Sequence, residues 1–351
     1  MIDFASYGKY ILEETAALLA VDSPSGMTKN AADHVMARFE ALGYAPERTR
    51  KDGVIVALGG KNAQDGVLLE AHMDTLGGMV CAIKSSGRLK ITRIGGLNAN
   101  NVETENCRVV TRFNGVYEGT AQLCNASTHV NGKYSEENRS FDSIEIVLDE
   151  VVENAEDVRK LGIRTGDFVC FDPRTKITRS GYIKSRFLDD KLSVGILLGY
   201  AKYLKEENIT PERALYVHVT SFEEVGHGGS ASVPQGVTEA ISVDMGCVGD
   251  GLECDERKVS ICAKDSGGPY DYAFTTELIA RAKRMNLDYA VDIYPRYGSD
   301  AGTALRSGME ARFALCGQGV FASHGYERTH VKGMLATLAL VTDVAETVAA
   351  E

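Results

Sequence analysis

The apolar run Val67-Leu68-Leu69 leads into Glu70-Ala71-His72-Met73-Asp74 and then a glycine-rich turn at Gly77-Gly78. In an extended segment residues two apart share a face, so His72 and Asp74 project together. A neutral imidazole is a good ligand for zinc or cobalt, and a nearby carboxylate commonly orients the ring. Taken alone, the pair reads equally well as a strand-end histidine held by a local acid, with Met73 as packing. Four further places carry groups of the same kind. Asp189 and Asp190 stand in Arg186-Phe-Leu-Asp-Asp-Lys191 at the mouth of a helix, where a single aspartate would serve as a cap. Glu223 and Glu224 stand in Ser221-Phe-Glu-Glu-Val-Gly-His227-Gly-Gly229. In an extended segment those neighbours would point opposite ways and divide metal ligation from proton transfer. His227 reads as an additional ligand, a substrate contact or a plain loop residue. Asp244 ends another apolar run, and His324 and His330 precede the last helix.

Counted by donor type, His72, Asp189, Glu224, Asp244 and His324 suffice for two divalent metal ions if one carboxylate bridges them. Two-metal hydrolytic sites hold their ions about 3.5–4 Å apart and stabilise both attacking and leaving oxygens. Glu223, beside a ligand but free of metal, is then the general base that takes a proton from a bridging water.

The elements that must assemble these groups are legible in hydrophobic period and turn residues. Residues 7–19 and 30–42 have helical spacing, separated by the breaker run Asp22-Ser-Pro-Ser-Gly26. Short strands are expected at 53–58 and 67–71, with a polar loop at 59–65 between them. After residue 78 come strand-like runs at 80–83, 89–94, 108–113 and 119–123, with turns at Ser86-Gly87 and Asn114-Gly115. This all-β texture continues through 143–148, a helical piece near 154–161 and a run at 167–171, and closes around 178–183. From residue 186 a helix (188–204), strands (214–220, 240–244, 258–263), a helix (272–285), a strand (289–292) and a closing helix (331–349) follow. The expected fold class is α/β: a mixed sheet flanked by helices in 1–77 and 184–351, interrupted by an all-β insert at 78–183.

Composition narrows the function classes. The chain has 351 residues, enough for one large core with an insert, and its 44% hydrophobic and 25% charged content is ordinary for a globular protein. A net charge of −11 without a Lys/Arg cluster argues against a nucleic-acid track. No apolar stretch is long enough to span a bilayer, and MIDFASYGKY lacks a basic region followed by an apolar core, so a cytoplasmic protein without membrane contact is expected. The eight cysteines form no CxxC pair, which suggests neither a zinc knuckle nor a disulfide framework. Paired carboxylates also fit glycoside hydrolysis, but a chain with no Trp offers little sugar-stacking surface. A purely structural metal site is closed and needs no spare base beside it. A carboxypeptidase or deacylase would want a basic group for the substrate carboxylate.

Ala71-His-Met-Asp-Thr75, Arg186-Phe-Leu-Asp-Asp-Lys191, Glu223-Glu-Val-Gly226, Val243-Asp244-Met245, Gly298-Ser-Asp-Ala-Gly302 and Ser323-His324, in this order, resemble the glutamyl-aminopeptidase family of tetrahedral, two-metal aminopeptidases. The resemblance covers nearly the whole chain and includes Arg93-Ile-Gly-Gly96 and Gly162-Ile-Arg-Thr-Gly-Asp167 in the insert. It implies a phosphorylase/hydrolase-like catalytic domain with a PDZ-like insert used in homo-oligomer assembly, from dimers up to a dodecamer. It implies two ions, zinc or cobalt with manganese as a further candidate. By the same resemblance His72, Asp189 and Asp244 would hold one ion and Asp189, Glu224 and His324 the other. Asp189 is then the bridge, Glu223 the base and Asp74 the group that orients the His72 surroundings. A histidine followed by a nearby glutamate, Glu327, favours His324 over His330. The stretches containing Gly268 and Asp300 are expected to line the substrate pocket, where Asp300 either favours basic residues or supports a loop. The implied activity is release of N-terminal residues from peptides.

Overall fold

The computed structural model describes residues 5–346. Two compact units are present, one made of the chain up to Asp74 and from Arg174 onward, the other of Thr75–Pro173.

The first unit is organised by a 13-stranded mixed sheet. Its central strand, Asn62–His72, is buried from Gly66 to His72, as expected for a parallel strand covered on both faces. It runs parallel to Arg213–Thr220 on one side and to Val237–Val243 on the other, and Arg312–Phe321 continues in parallel beyond. The register sets His72 opposite Thr220, Glu70 opposite Ser242, and Val243 opposite Cys316. The carboxyl ends of Asn62–His72, Arg213–Thr220 and Val237–Val243 therefore coincide, and the residues just beyond them emerge at one edge, where open α/β sheets place their sites. Outer strands Val54–Gly59 and Glu47–Arg48 complete one side, and Glu327–His330, Tyr182–Ser185 and Lys176–Ile177 the other.

Several features differ from the sequence reading, three of which bear on the site. Asn62–Asp65, read as loop, extends the central strand. The hairpin Lys176–Ile177/Tyr182–Ser185, read as the end of the insert, pairs with Glu327–His330 and belongs to the first unit. The strand Arg312–Phe321 carries no expectation because Gly317 and Gly319 interrupt its pattern. Those glycines supply space: a Cβ at 317 would lie 1.9 Å from the Asp244 carbonyl oxygen, and one at 319 would lie 2.2 Å from that of Asp255.

Helix Leu188–Glu206 packs on the central strand and against helix Ala5–Leu19, where Gly195 and Gly199 make room for Thr15 and Ile11. Elsewhere Leu68, Ala240, Phe313 and Leu315 of the sheet form a core with Tyr294, Ala301 and Ala304. Burying each large apolar side chain is worth about 1.5–3 kcal/mol, which fixes the strands whose ends carry the polar groups. Helix Val331–Glu346 closes the unit, and residues 347–349 of its expected span lie outside the described residues. Among the described residues no helix is long and apolar enough to cross a membrane.

The second unit is a closed antiparallel barrel of six strands in the order Gly77–Ile83, Leu89–Ile94, Ile144–Leu148, Val116–Leu123, Asn106–Val110 and Phe168–Phe171. Val80, Leu89, Ile91, Val109, Ala121, Ile146 and Val169 fill it, and closure leaves no free sheet edge.

Candidate metal centre and catalytic cleft

The sheet edge gathers side chains from five separate places in the chain. His72 ends the central strand, and its Nδ1 donates to the Asp74 carbonyl at 2.9 Å, which makes Nε2 the ring nitrogen that would ligate a metal. That nitrogen is 3.0 Å from Asp189 Oδ1 and 3.7 Å from Glu223 Oε2. The other Asp189 oxygen, Oδ2, is 3.5 Å from His324 Nε2, which in turn is 3.5 Å from Glu224 Oε2. The two oxygens of Asp189 thus face two different imidazoles. Asp244 follows Val237–Val243, and its Oδ1 accepts the Met245 N–H at 2.6 Å.

The backbone that presents these groups departs from regular structure. Asp189 and Asp190 have non-helical angles at the start of Leu188–Glu206. Glu223 and Glu224 lie in a single 3-10 turn, Glu223–Val225, so their divergence comes from a turn and not from strand alternation. Phe187, Phe222 and His324 adopt left-handed φ values of 66°, 68° and 62°. Such conformations persist in non-glycine residues only where surrounding contacts impose them. Two buried carboxylates supply such contacts. Asp74 accepts the N–H groups of Glu223 (3.1 Å) and Glu224 (3.3 Å) and the Ser25 hydroxyl. Glu327 accepts those of Asp189 (3.0 Å) and His324 (2.9 Å).

Seven carboxyl groups (Asp74, Asp189, Asp190, Asp244, Glu223, Glu224 and Glu327) converge on two imidazoles. Burial, reinforced by the neighbouring acids, pushes Glu223, Glu224 and Asp190 well above the usual carboxylate range. The same causes raise Asp244 to about 7 and Glu327 to about 8. Asp189 goes the other way: burial opposes its ionisation, but the His324 and His72 hydrogen bonds outweigh that and hold it low. His324 is raised to about 10, because Asp189 and Glu224 overcome the burial that would lower it. A cation among these groups would let the carboxylates ionise together. Ligand atoms of His72, Asp190 and Asp244 lie within 4.8 Å of one another, as do those of His72, Asp189 and Glu224. Asp190 Oδ1 is buried without a hydrogen-bond partner. Imidazole nitrogen with carboxylate oxygen suits zinc, cobalt or manganese, so the residues fit a divalent metal.

The remaining sequence candidates separate. Asp300 is buried and accepts the Thr220 hydroxyl and the Gly229 N–H (2.7 Å), tying the glycine-rich loop to the strand end. His227 is exposed and bonds through its main chain: its N–H donates to the Phe222 carbonyl at 2.9 Å, and its carbonyl accepts from Lys51 Nζ at 2.6 Å and from the Ser230 hydroxyl at 2.7 Å. His330 spends both ring nitrogens elsewhere, on the Ser180 carbonyl (2.8 Å) and the Lys332 N–H (3.0 Å). A cleft of about 470 Å³ is lined by Asp189, Glu223, Glu224, Asp244 and His324 together with Tyr297, Arg296 and Arg306. Gly268 lines a neighbouring cavity of about 270 Å³, and Arg306 borders both. The sequence reading missed the two arginines, the place of Asp190 beside His72 and Asp244, and Ser25. The arginines flank the Gly298–Gly302 motif closely enough to have been noticed; Ser25 sat in a run read only as a turn.

Comparison with known proteins completes the description. The profile of the M42 glutamyl aminopeptidase family matches residues 52–340. A Bacillus subtilis (strain 168) relative named "Putative aminopeptidase YhfE" is 40% identical over 330 residues, covering 94% of this chain and 95% of its own. Among solved structures, a TET aminopeptidase from the marine sediment archaeon Thaumarchaeota archaeon SCGC AB-539-E09 superposes with a TM-score of 0.86 at 16% identity, over 96% of each chain. The TET1 peptidase of Pyrococcus horikoshii, which can assemble into a tetrahedron or a large octahedral shell, gives a TM-score of 0.82 at 18% identity, over 96% of this chain and 100% of its own.

Proposed function

The chain belongs to the M42 glutamyl aminopeptidase family and is a peptide hydrolase, and from that premise we propose that it releases N-terminal residues from peptides with two divalent ions held at the sheet edge. The observation that carries this reading is the division of Asp189 between His72 and His324, with Glu223 beside the first and Glu224 beside the second. In this reading His72 and Asp244, with Asp189 or the adjacent Asp190, hold one ion; Asp189, Glu224 and His324 hold the other. Zinc or cobalt is the preferred metal, with manganese as a further candidate. Bound ions supply polarisation of the scissile carbonyl and acidify the attacking water.

The rest is done by the chain. Glu223 takes the proton from the attacking water and hands it to the leaving amine nitrogen. Its burial favours the protonated form and nearby cations would favour the ionised one, an opposition suited to a group that must both accept and release. Asp74 keeps it in place through the backbone N–H at 3.1 Å. The cavity bordered by Gly268 and Arg306 would accept the side chain of the residue removed. Arg296 and Arg306 are the two arginines of the cleft, and a carboxypeptidase or deacylase would use such groups for a substrate carboxylate. We further propose that the chain forms homo-oligomers, as the P. horikoshii peptidase does, and assign that role to the barrel unit on the family resemblance of the insert. Cytoplasmic residence fits eight cysteines that are all free thiols.

The test is hydrolysis of a panel of aminoacyl chromogenic substrates after chelation and readdition of zinc, cobalt or manganese. Activity should vanish on chelation and return with metal, and N-acetylation of the substrate should abolish cleavage. Cleavage of acetylated substrates at undiminished rate would favour the carboxypeptidase or deacylase reading, and activity surviving chelation would sink the metal centre.

A further inference from the structure

Glu327 opens the strand Glu327–His330, whose register places it opposite Ser185. Ser185 stands four positions before Asp189, and Glu327 stands three after His324. One strand pair therefore brings a single side chain to the junction of two chain segments that each carry a cleft residue. There the carboxylate, 2% exposed, accepts the Asp189 N–H on Oε2 and the His324 N–H on Oε1. Neither donor has a regular place to go. Asp189 lies in the first turn of its helix, where N–H groups lack an intrahelical partner, and His324 sits in a left-handed turn. With a cation in the site to let Glu327 ionise, both hydrogen bonds become the stronger, charge-assisted kind, and two on one carboxylate fix both main chains at once.

We propose that Glu327 is a positioning residue for the Asp189–His324 half of the centre: by holding the two main chains, it sets the separation of Asp189 Oδ2 and His324 Nε2 and hence the affinity for the ion they share. The inference rests on the two-metal reading above. It requires both oxygens to accept, which an amide cannot do, since its NH₂ would face a backbone donor. Aspartate, one methylene shorter, cannot reach both N–H groups.

The test uses the full chain, stripped with chelator and titrated with cobalt(II) chloride, followed by calorimetry and by the visible absorption of the bound ion. Circular dichroism and thermal unfolding of the metal-free protein report whether each variant folds. Wild type should show two binding steps, and His324→Ala identifies the one that belongs to Asp189, Glu224 and His324. Glu327→Gln should weaken that step about 10–100-fold, the usual loss when a group orienting a ligand is removed, and leave the other unchanged. Added to His324→Ala, it should have no further effect. Glu327→Asp should weaken the same step and carries the test if the glutamine variant does not fold. Equal affinities in wild type and a folded variant, or equal weakening of both steps, would overturn the role of Glu327. Fewer than two ions in wild type would instead overturn the two-metal reading.

Discussion

Replacing Glu223 with Gln separates the proton-transfer role from every structural role of the residue. The amide is isosteric, and the backbone N–H that donates to Asp74 at 3.1 Å is untouched, so the turn Glu223–Val225 should keep its shape. A positioned general base contributes about 10²–10⁴ in rate, about 2.7–5.4 kcal/mol of barrier at tenfold per 1.36 kcal/mol. Turnover should fall by that factor with little change in KM or in bound metal. Stability of the metal-free protein should move the other way. Glu223 is raised by burial and by Asp300, Asp244 and Glu224, so ionising it costs folding energy. A carboxyl raised in the folded state stabilises below its unfolded pKa and loses that contribution as pH rises through the folded one. The glutamine variant, having no charge to bury, should therefore melt no lower than wild type in chelator at neutral pH. The assays are steady-state hydrolysis of an aminoacyl p-nitroanilide, metal analysis of dialysed protein and thermal unfolding with and without chelator. Turnover within about a factor of three of wild type, far below the range for a general base, would refute the assignment. A large drop in metal content or metal-free melting temperature would show that any rate loss is structural.

Three other outcomes follow from the geometry. Gly317→Ala places a methyl where the Asp244 carbonyl stands 1.9 Å away, so it should cost about 1–3 kcal/mol in denaturant unfolding and displace Asp244 enough to lower metal content. His324→Ala should lose bound metal with little loss of fold, whereas His330→Ala should retain metal and lose about 1–3 kcal/mol by stranding the Ser180 carbonyl and Lys332 N–H; the reverse pattern would exchange the two histidines. Glu70, buried beside His218 with Oε2 unpartnered, is pushed up to about 8 by burial against an opposing Lys51, so its contribution to stability is lost as pH rises from about 4.5 to about 8. Glu70→Gln should flatten the decline in melting temperature between pH 5 and pH 9; an unchanged slope would remove Glu70 as its source.

Much of this protein was legible in its chain, for identifiable reasons. The parallel strands announce themselves as apolar runs because both faces are covered, and each ends in the polar residues that reach the sheet edge. Their order along the chain, rather than any single motif, identifies the family. What stayed hidden was set by contacts between distant segments. The strand Arg312–Phe321 looked broken because its glycines answer to the Asp244 and Asp255 carbonyls, which no local window contains. The hairpin ending at Ser185 looked like the tail of the insert because its partner strand comes more than a hundred residues later. Asp300 stood open between a pocket role and loop support until its oxygens were found on Thr220 and Gly229, which fits the second. The nearby Glu327 favoured His324 over His330 from the sequence, and the bonding of both ring nitrogens of His330 adds a reason that no local window contains.

The placement of Asn62–His72 at the middle of the sheet also has a consequence in time. Its partners are made long after it: Glu70 and His218, side by side in the fold, are 148 positions apart. His324 and the carboxylate that holds its backbone come later still. Pairings of such separation pay loop-closure entropy before they return any contact, and they form late in folding. At synthesis rates of about 5–20 residues per second, the emerging chain exposes its first histidine many seconds before its last. The half of the cleft that draws on His324 cannot close around a cation until the chain is almost complete, so loading of that half would mark the end of folding instead of guiding it.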